Sequence, residues 1–375
     1  MPTEPTGQEH LTAVHIADTS ATERAAFRRC RRQWFLGIVH RLQSAEGNQN
    51  FWFGTLVHAA LESYYLRIKD LGFHGHDEAT TAALDRYEEE YYASVEPIKQ
   101  WLGFLWPNVE ASYRELGELG MEMLQAYFDK EAKEPLFDEV VEVERRVFVP
   151  IRSPGGRKVG RLSVRADVVG RRGGYLSVAD HKTASREMSA SQLDLDDQLT
   201  AEVYAIWKTR EDGEFPEEAI YNVLMKKVPR PPKELKPGKR SPSWPAGEPK
   251  LSRDKSQLTT YDLYLGEVKR LGLDAEEYDE ILQHFYDQDH SEESPFFRRD
   301  YVMRSPAQMA SFEANLYQEW KDMRAVASHP ERAYPNPSPF SCPSCSVRLI
   351  CTMMADDGDV EAIIKASYVV GDPRR

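Results

Sequence analysis

The stretch that decides the fold is Gly160-Arg161-Leu162-Ser163-Val164-Arg165-Ala166-Asp167-Val168-Val169, a turn from Gly170 to Gly174, and Tyr175-Leu176-Ser177-Val178-Ala179-Asp180-His181-Lys182. Leu162, Val164, Ala166 and Val168 alternate along one face, as a half-buried strand requires. Before it, Val140 to Val149 is rich in β-branched residues, Pro150 is expected to close it, and Pro154-Gly155-Gly156 turns the chain. Three strands joined by short turns make a β-meander. Because side chains alternate with period two, Asp180 and Lys182 share a face with Leu176 and Val178. Asp167 faces opposite to Leu162 and Val164. Two carboxylates on adjacent strands suit a hard divalent cation, which prefers oxygen ligands. The plain alternative is a solvated salt bridge among Asp167, Asp180 and Lys182.

Outward from this core, residues 20–40, 51–69, 77–93 and 111–130 read as helices. In the second, Phe53, Leu56, Val57, Ala60, Leu61 and Tyr64 form one apolar stripe. His58 sits at the edge of that stripe, with Glu62 four residues on along the same face. A helical histidine is most often a packed core residue, but this one is a candidate third metal ligand with Glu62 as its orienting partner. After the meander, a helix is expected at 194–210 and a strand at 218–228. Residues 229–260, rich in Pro, Lys, Ser and Gly, read as an insertion or linker. Helices at 262–289 and 306–328 flank a short strand from Phe296 to Met303. No internal repeat is visible, and the architecture is α/β or α+β.

The 375 residues carry 48 Lys and Arg against 61 Asp and Glu, a net charge of −13, with 41% hydrophobic and 29% charged residues. That is the composition of a soluble globular protein. No apolar run approaches the roughly 18–20 residues of a membrane span, and Glu4, Glu9 and His10 do not make a signal peptide. A cytoplasmic protein is expected. The acidic balance disfavours indiscriminate coating of nucleic acid but permits a local basic channel. Arg28-Arg29-Cys30-Arg31-Arg32 and the run from Lys226 to Arg240 could each track phosphates, although the second reads better as a mobile loop.

Of four cysteines, Cys342, Cys345 and Cys351 form a C-x2-C-x5-C cluster and Cys30 stands alone. Such a cluster without a secretion signal reads as metal binding. A tetrahedral thiolate site or a cubane cluster wants four ligands, and Cys30 is the one cysteine left to complete it. Zinc held by the three with His329, and Cys30 as a buried thiol, is the alternative.

Taken in order, Arg29-Cys30-Arg31-Arg32-Gln33-Trp34-Phe35-Leu36, Gly54-x3-His58, Arg165-Ala166-Asp167, Ala179-Asp180-His181-Lys182-Thr183, Gln198-Leu199 and the cysteine triplet resemble the RecB-like iron–sulfur branch of the PD-(D/E)XK nuclease superfamily, the branch of the CRISPR-adaptation nucleases and phage exonucleases. The resemblance spans roughly residues 20–352. It departs at Glu202, which stands where the family's Gln-x3-Tyr pattern has tyrosine, with Tyr204 two residues later.

The resemblance implies an α/β, restriction-endonuclease-like core. A mixed sheet is flanked by helices, and a helical N-terminal region is joined to a C-terminal cysteine tail by a metal centre. The units would be residues 1–135, 136–228, 229–261, 262–330 and 331–375. It further implies a metal-dependent DNA exonuclease with His58, Asp167, Asp180 and the His181 carbonyl holding Mg2+ or Mn2+. Lys182 would position or help deprotonate the attacking water, and Gln198 would orient Lys182 or touch substrate. Cys30, Cys342, Cys345 and Cys351 would hold a structural 4Fe-4S cluster. Arg165 and Tyr204 are candidate contacts to nucleic acid, and Glu142 or Glu144 a candidate auxiliary acid. Trp34, Trp52 and Phe53 could stack on bases but read better as core. The implied partners are DNA ends or single strands and, as a separate chain, a helicase or recombination protein, since no Gly-x4-Gly-Lys-Ser/Thr phosphate loop occurs here. A homo-oligomer is left open. A catalytically silent DNA-binding subunit is the competing reading.

Overall fold

A computed structural model describes residues 12–44, 49–186, 193–194, 196–235, 249–291 and 294–371. In chain order it begins with β1 (Asp18–Ser20), α1 (Ala21–Arg29), α2 (Arg31–Trp34) and β2 (Leu42–Ser44). Three long helices follow: α3 (Gln49–Leu71), α4 (His76–Leu102) and α5 (Trp106–Glu131). Then come β3 (Glu139–Arg152), β4 (Lys158–Arg172), β5 (Tyr175–Ala184), α6 (Asp197–Thr209) and β6 (Glu218–Met225). The remainder is β7 (Glu234–Leu235), β8 (Lys250–Leu251), α7 (Tyr261–Arg270), α8 (Asp279–Asp289), β9 (Phe297–Met303), α9 (Pro306–Ser328), α10 (Arg348–Ala355), α11 (Val360–Ser367) and β10 (Tyr368–Val370).

The meander stands as expected, but β3 runs through Pro150 instead of ending there. β3 pairs β4 and lies at the edge of the sheet, where a residue without an N–H costs no ladder bond. The predicted helix over 262–289 is two helices, because Gly272 takes a left-handed φ of 66° and Asp274 caps a new turn. The expected helix over 20–40 breaks at Cys30, whose backbone is extended, and ends in a π-turn at Phe35–Val39. Much of the Pro- and Lys-rich insertion (236–248), including the last third of the basic run, lies outside the described residues.

The mixed sheet has the order β1-β4-β5-β6-β9, with β3 on the other edge of β4. On one face, Phe53, Leu56, Tyr64, Leu124 and Tyr127 from α3 and α5 meet Val168, Ala179 and Ile220. On the other, Leu199, Val203, Phe312 and Trp320 from α6 and α9 meet Leu162, Val164 and Val178. A third cluster joins the chain's two ends: Phe27, Trp34, Phe35 and Leu36 pack with Met323, Val347, Ile350 and Tyr368. The α7–α8 pair has a small core of its own around Tyr264 and Phe285. Among the described residues, no helix is long and apolar enough to cross a membrane.

A fork in the sheet positions everything that follows. β5 pairs β4 antiparallel from Arg172↔Tyr175 to Val168↔Ala179 and then departs, while β1 takes the same edge of β4 in parallel at Arg161 to Ser163. Asp167 and Asp180 are the residues immediately beyond the last pair. The alternation also breaks here, since Ala166 and Val169 enter one core and Val168 the other.

At the root of the fork, Gly170 allows close passage. A Cβ there would lie 2.8 Å from the carbonyl oxygen of Glu139 and collide with the Phe137 ring. Gly170→Ala is therefore expected to destabilise the protein by about 1–3 kcal/mol, seen as a lower urea midpoint with an unchanged m-value.

Candidate active site

α3 crosses the sheet face so that His58 reaches the fork. Its Nδ1 lies 3.4 Å from Asp167 Oδ2. Asp167 Oδ2 also accepts the His181 backbone N–H at 2.8 Å, so the side chain satisfies an amide at the point where strand pairing stops. Glu144 completes the group: one donor atom each from His58, Glu144 and Asp167 lie within 4.8 Å of one another, the single such group of three or more among the described residues.

Period-two alternation would put Glu142 and Glu144 on one face of their strand, but they are split. Glu144 adopts a left-handed φ of 51°, which turns its carboxylate to Arg165 and the fork. Glu142 points the other way, bonded to Arg145 at 2.5 Å beside Thr209 of α6. Glu62, expected to orient His58, instead acts electrostatically on Arg165 and Glu144. His58 takes its orientation from Asp167.

Asp180 faces α6. Lys182 Nζ lies 2.9 Å from both Asp180 oxygens and donates to Oδ1, which also accepts Gln198 Nε2 at 2.7 Å. Lys182 donates to Gln198 Oε1 at 3.2 Å, and Gln198 Nε2 also donates to Glu202 Oε1 at 3.1 Å. The Asp196 side chain caps α6, and Arg24 and Arg28 of α1 grip Asp197, next to Gln198, at 2.8 and 2.7 Å. Glu202 Oε2 is buried without a hydrogen-bond partner, whereas Asp180 Oδ2 is held by the Lys182 ammonium.

His181 is fully buried. Its ring stacks on Tyr65 at 5.2 Å, and Asn222 donates to its Nδ1 at 2.8 Å and to the Tyr127 hydroxyl at 2.8 Å.

Burial dominates the electrostatics. Burial, helped by Asp180, pushes the Asp167 carboxyl up to about 7. Burial likewise raises Glu144, against the opposing Arg165 bond, and raises Glu202 strongly, with Asp180 and Asp167 adding to it. Burial holds the His58 and His181 imidazoles below their ordinary range, which keeps His58 neutral and able to ligate. For Lys182 burial opposes the charge, but Asp180 more than offsets it and the ammonium is held above its usual range.

Two expected nucleic-acid contacts fare differently. Arg165 is half-exposed and paired with Glu144. Tyr204 is a core residue, 2% exposed against the Phe312 ring. Two helical positions beyond Glu202, it points about 200° away from the fork. Trp34, Trp52 and Phe53 are core as well.

The four cysteines gather where the chain ends meet. Burial raises the Cys345 thiol, and Cys30, Cys342 and Cys351 add to that rise. Backbone N–H groups of Asn336 and Ser338 reach Cys30 and Cys342 at 3.4 and 3.3 Å, and Arg32 approaches Cys351 at 3.9 Å. His329, the alternative ligand, places its Nδ1 3.1 Å from the Ala325 carbonyl.

This arrangement has a counterpart among known proteins: the family model of the PD-(D/E)XK nuclease superfamily matches residues 18–352. The chain belongs to that superfamily. No curated protein matches it. The superfamily's chemistry is phosphodiester hydrolysis with divalent metals, and the donor set fits a hard cation: a neutral imidazole and the two carboxylates of Glu144 and Asp167, beside the Asp180–Lys182 ion pair.

The shift of Asp167 has a testable sign. A carboxyl raised to about 7 is protonated in the fold when the unfolded chain is ionised, so its stabilising contribution is present below about pH 4 and lost as pH rises through 7. Metal-free Asp167→Asn should therefore lose less stability than the unsubstituted protein between about pH 5 and pH 8, and be the more stable of the two at the upper end. Urea midpoints in chelator across that range check this.

Proposed function

We propose that this superfamily member is a metal-dependent DNA exonuclease acting on single strands or strand ends, of the RecB-like iron–sulfur type. The observation that carries the reading is the fork, where His58, Glu144 and Asp167 stand beside the bonded set Asp180, Lys182 and Gln198. Mg2+ or Mn2+ bound there would activate a water and neutralise charge on the phosphate. His58, Glu144 and Asp167 would hold it, with Asp180 and the His181 carbonyl as further ligands. Lys182 then orients the nucleophile and stabilises charge developing on phosphate oxygens.

Features of the surface support a single-stranded or end substrate. The basic stretch starting at Arg28 begins at the α6 contact next to Gln198 and runs toward the cysteine lobe. There Arg31 lies 4.9 Å over the Tyr334 ring, and Phe340 is 90% exposed. Cations interleaved with exposed aromatics suit an unpaired strand, whose phosphates and base faces are both accessible. For the cysteines, the reading is a structural 4Fe-4S cluster. Its support is that Cys345 feels the other three thiols, so all four, the number a cubane core takes, are gathered at one place.

End-labelled single-stranded and duplex DNA, incubated with anaerobically purified protein and Mn2+, Mg2+ or chelator, tests the activity. Metal-dependent loss of label is expected, falling at least about 100-fold in Lys182→Ala with DNA binding retained. Undiminished cleavage by that variant would remove Lys182 from the site. No cleavage by a folded, DNA-binding protein would favour the silent-subunit reading.

The cluster has its own readout. The protein should be brown, with about four irons per chain and absorbance in the blue, and Cys345→Ser should lose both colour and stability. A colourless protein with one zinc would replace the cluster by the simpler ion.

A further inference from the structure

Glu202 has no part in the donor group around His58, yet it is built into the site. It is 2% exposed, one of its oxygens holds Gln198 at 3.1 Å, and the other has no partner. Two short-range pairings interlock here. Asp180 and Lys182 are i,i+2 on a strand, and Gln198 and Glu202 are i,i+4 on a helix, so each pair presents its two side chains on one face. The amide of Gln198 is thereby fixed: its N–H groups lie on Asp180 and Glu202, and its oxygen takes Lys182.

The difficulty lies with Asp180, which in this arrangement is the carboxylate partner of Lys182. A cation at the fork competes with the ammonium for the same oxygens, and a lysine left among buried groups without a counter-charge is costly. Gln198 joins the two, bonded to Lys182 at 3.2 Å and to Glu202 at 3.1 Å, and Glu202 keeps a buried oxygen without a partner.

We infer that Glu202 is a positioning residue that receives Lys182 when Asp180 turns to a divalent cation, so that metal and ammonium are held together instead of excluding one another. This rests on the reading of the fork as a divalent-metal site. Glu202 acts through Lys182 and makes no contact with the metal.

A double-mutant cycle on the full chain, read as Mn2+ affinity by calorimetry or by the free-ion electron paramagnetic resonance signal, separates this role from simple electrostatics. Glu202→Gln keeps an oxygen for Gln198 but presents an NH2 group to the ammonium, leaving Lys182 on Asp180. It should weaken Mn2+ binding about tenfold, in the range of residues that support metal ligands. In a Lys182→Met background, where nothing competes for Asp180, the same substitution should change affinity by less than about twofold. Far-ultraviolet circular dichroism melts confirm folding. If Glu202→Gln does not fold, Glu202→Met, which removes both oxygens without leaving a buried charge, is read in the same cycle. Equal losses in both backgrounds, or no loss in either, would overturn the inference and leave the metal site standing. Failure of the unsubstituted protein to bind Mn2+ would overturn the metal site and the inference with it.

Discussion

Four carboxylates, those of Glu144, Asp167, Asp180 and Glu202, are drawn out of water around one ammonium and one half-exposed guanidinium. Placing that much negative charge in a poorly solvated space is unfavourable, and the protein meets the cost in three ways. The Asp167 and Glu202 carboxyls hold protons more tightly, Lys182 and Arg165 compensate locally, and a backbone amide and the Gln198 side chain donate to the remainder. The rest of the architecture keeps these groups from relaxing apart. The sheet fixes β4 and β5, α3 covers one side of the fork, and α6, gripped by α1, covers the other. Such a concentration of donors suits the divalent metals that the superfamily uses.

The meander, the two acidic strand ends, the lysine and the helix bearing His58 were all legible in the sequence, because period-two and helical spacing report directly on which face a side chain occupies. That Cys30 would lie with the three C-terminal cysteines was legible too, since their clustering left it the one thiol still to be placed. Glu144 could be only half-read: alternation put it level with Glu142, and a left-handed residue in a strand gives no sequence signal when that residue is not glycine. Tyr204 was misplaced because it was aligned by pattern, whereas two steps along a helix carry a side chain to the opposite face. Pro150 misled as a strand terminator because edge position, a property of the assembled sheet, decides whether a missing N–H matters.

His181 shows what no local pattern reveals. Its backbone serves Asp167, while its ring is locked by Tyr65 from α3, Asn222 from β6 and, through Asn222, Tyr127 from α5. These residues are far apart in the sequence, and each alone reads as an ordinary core position. Their convergence ties the backbone that serves Asp167 to the packing of the helical layer, so disturbance in that layer reaches the fork through a single imidazole.

The meeting of the chain's ends also bears on how the protein is made. Trp34, Phe35 and Leu36 leave the ribosome early, but the surface that covers them comes from Met323 to Tyr368, and the loop bonded to Cys30 is synthesised 306 residues later. While the intervening roughly 300 residues are made, this aromatic segment has no native cover and the fourth thiol has no companions. Closure of the lobe around Cys30, together with any cofactor loading that depends on it, must wait until Met323 to Tyr368 have been synthesised. A nascent chain of this kind depends on protection from aggregation for far longer than its compact final form suggests.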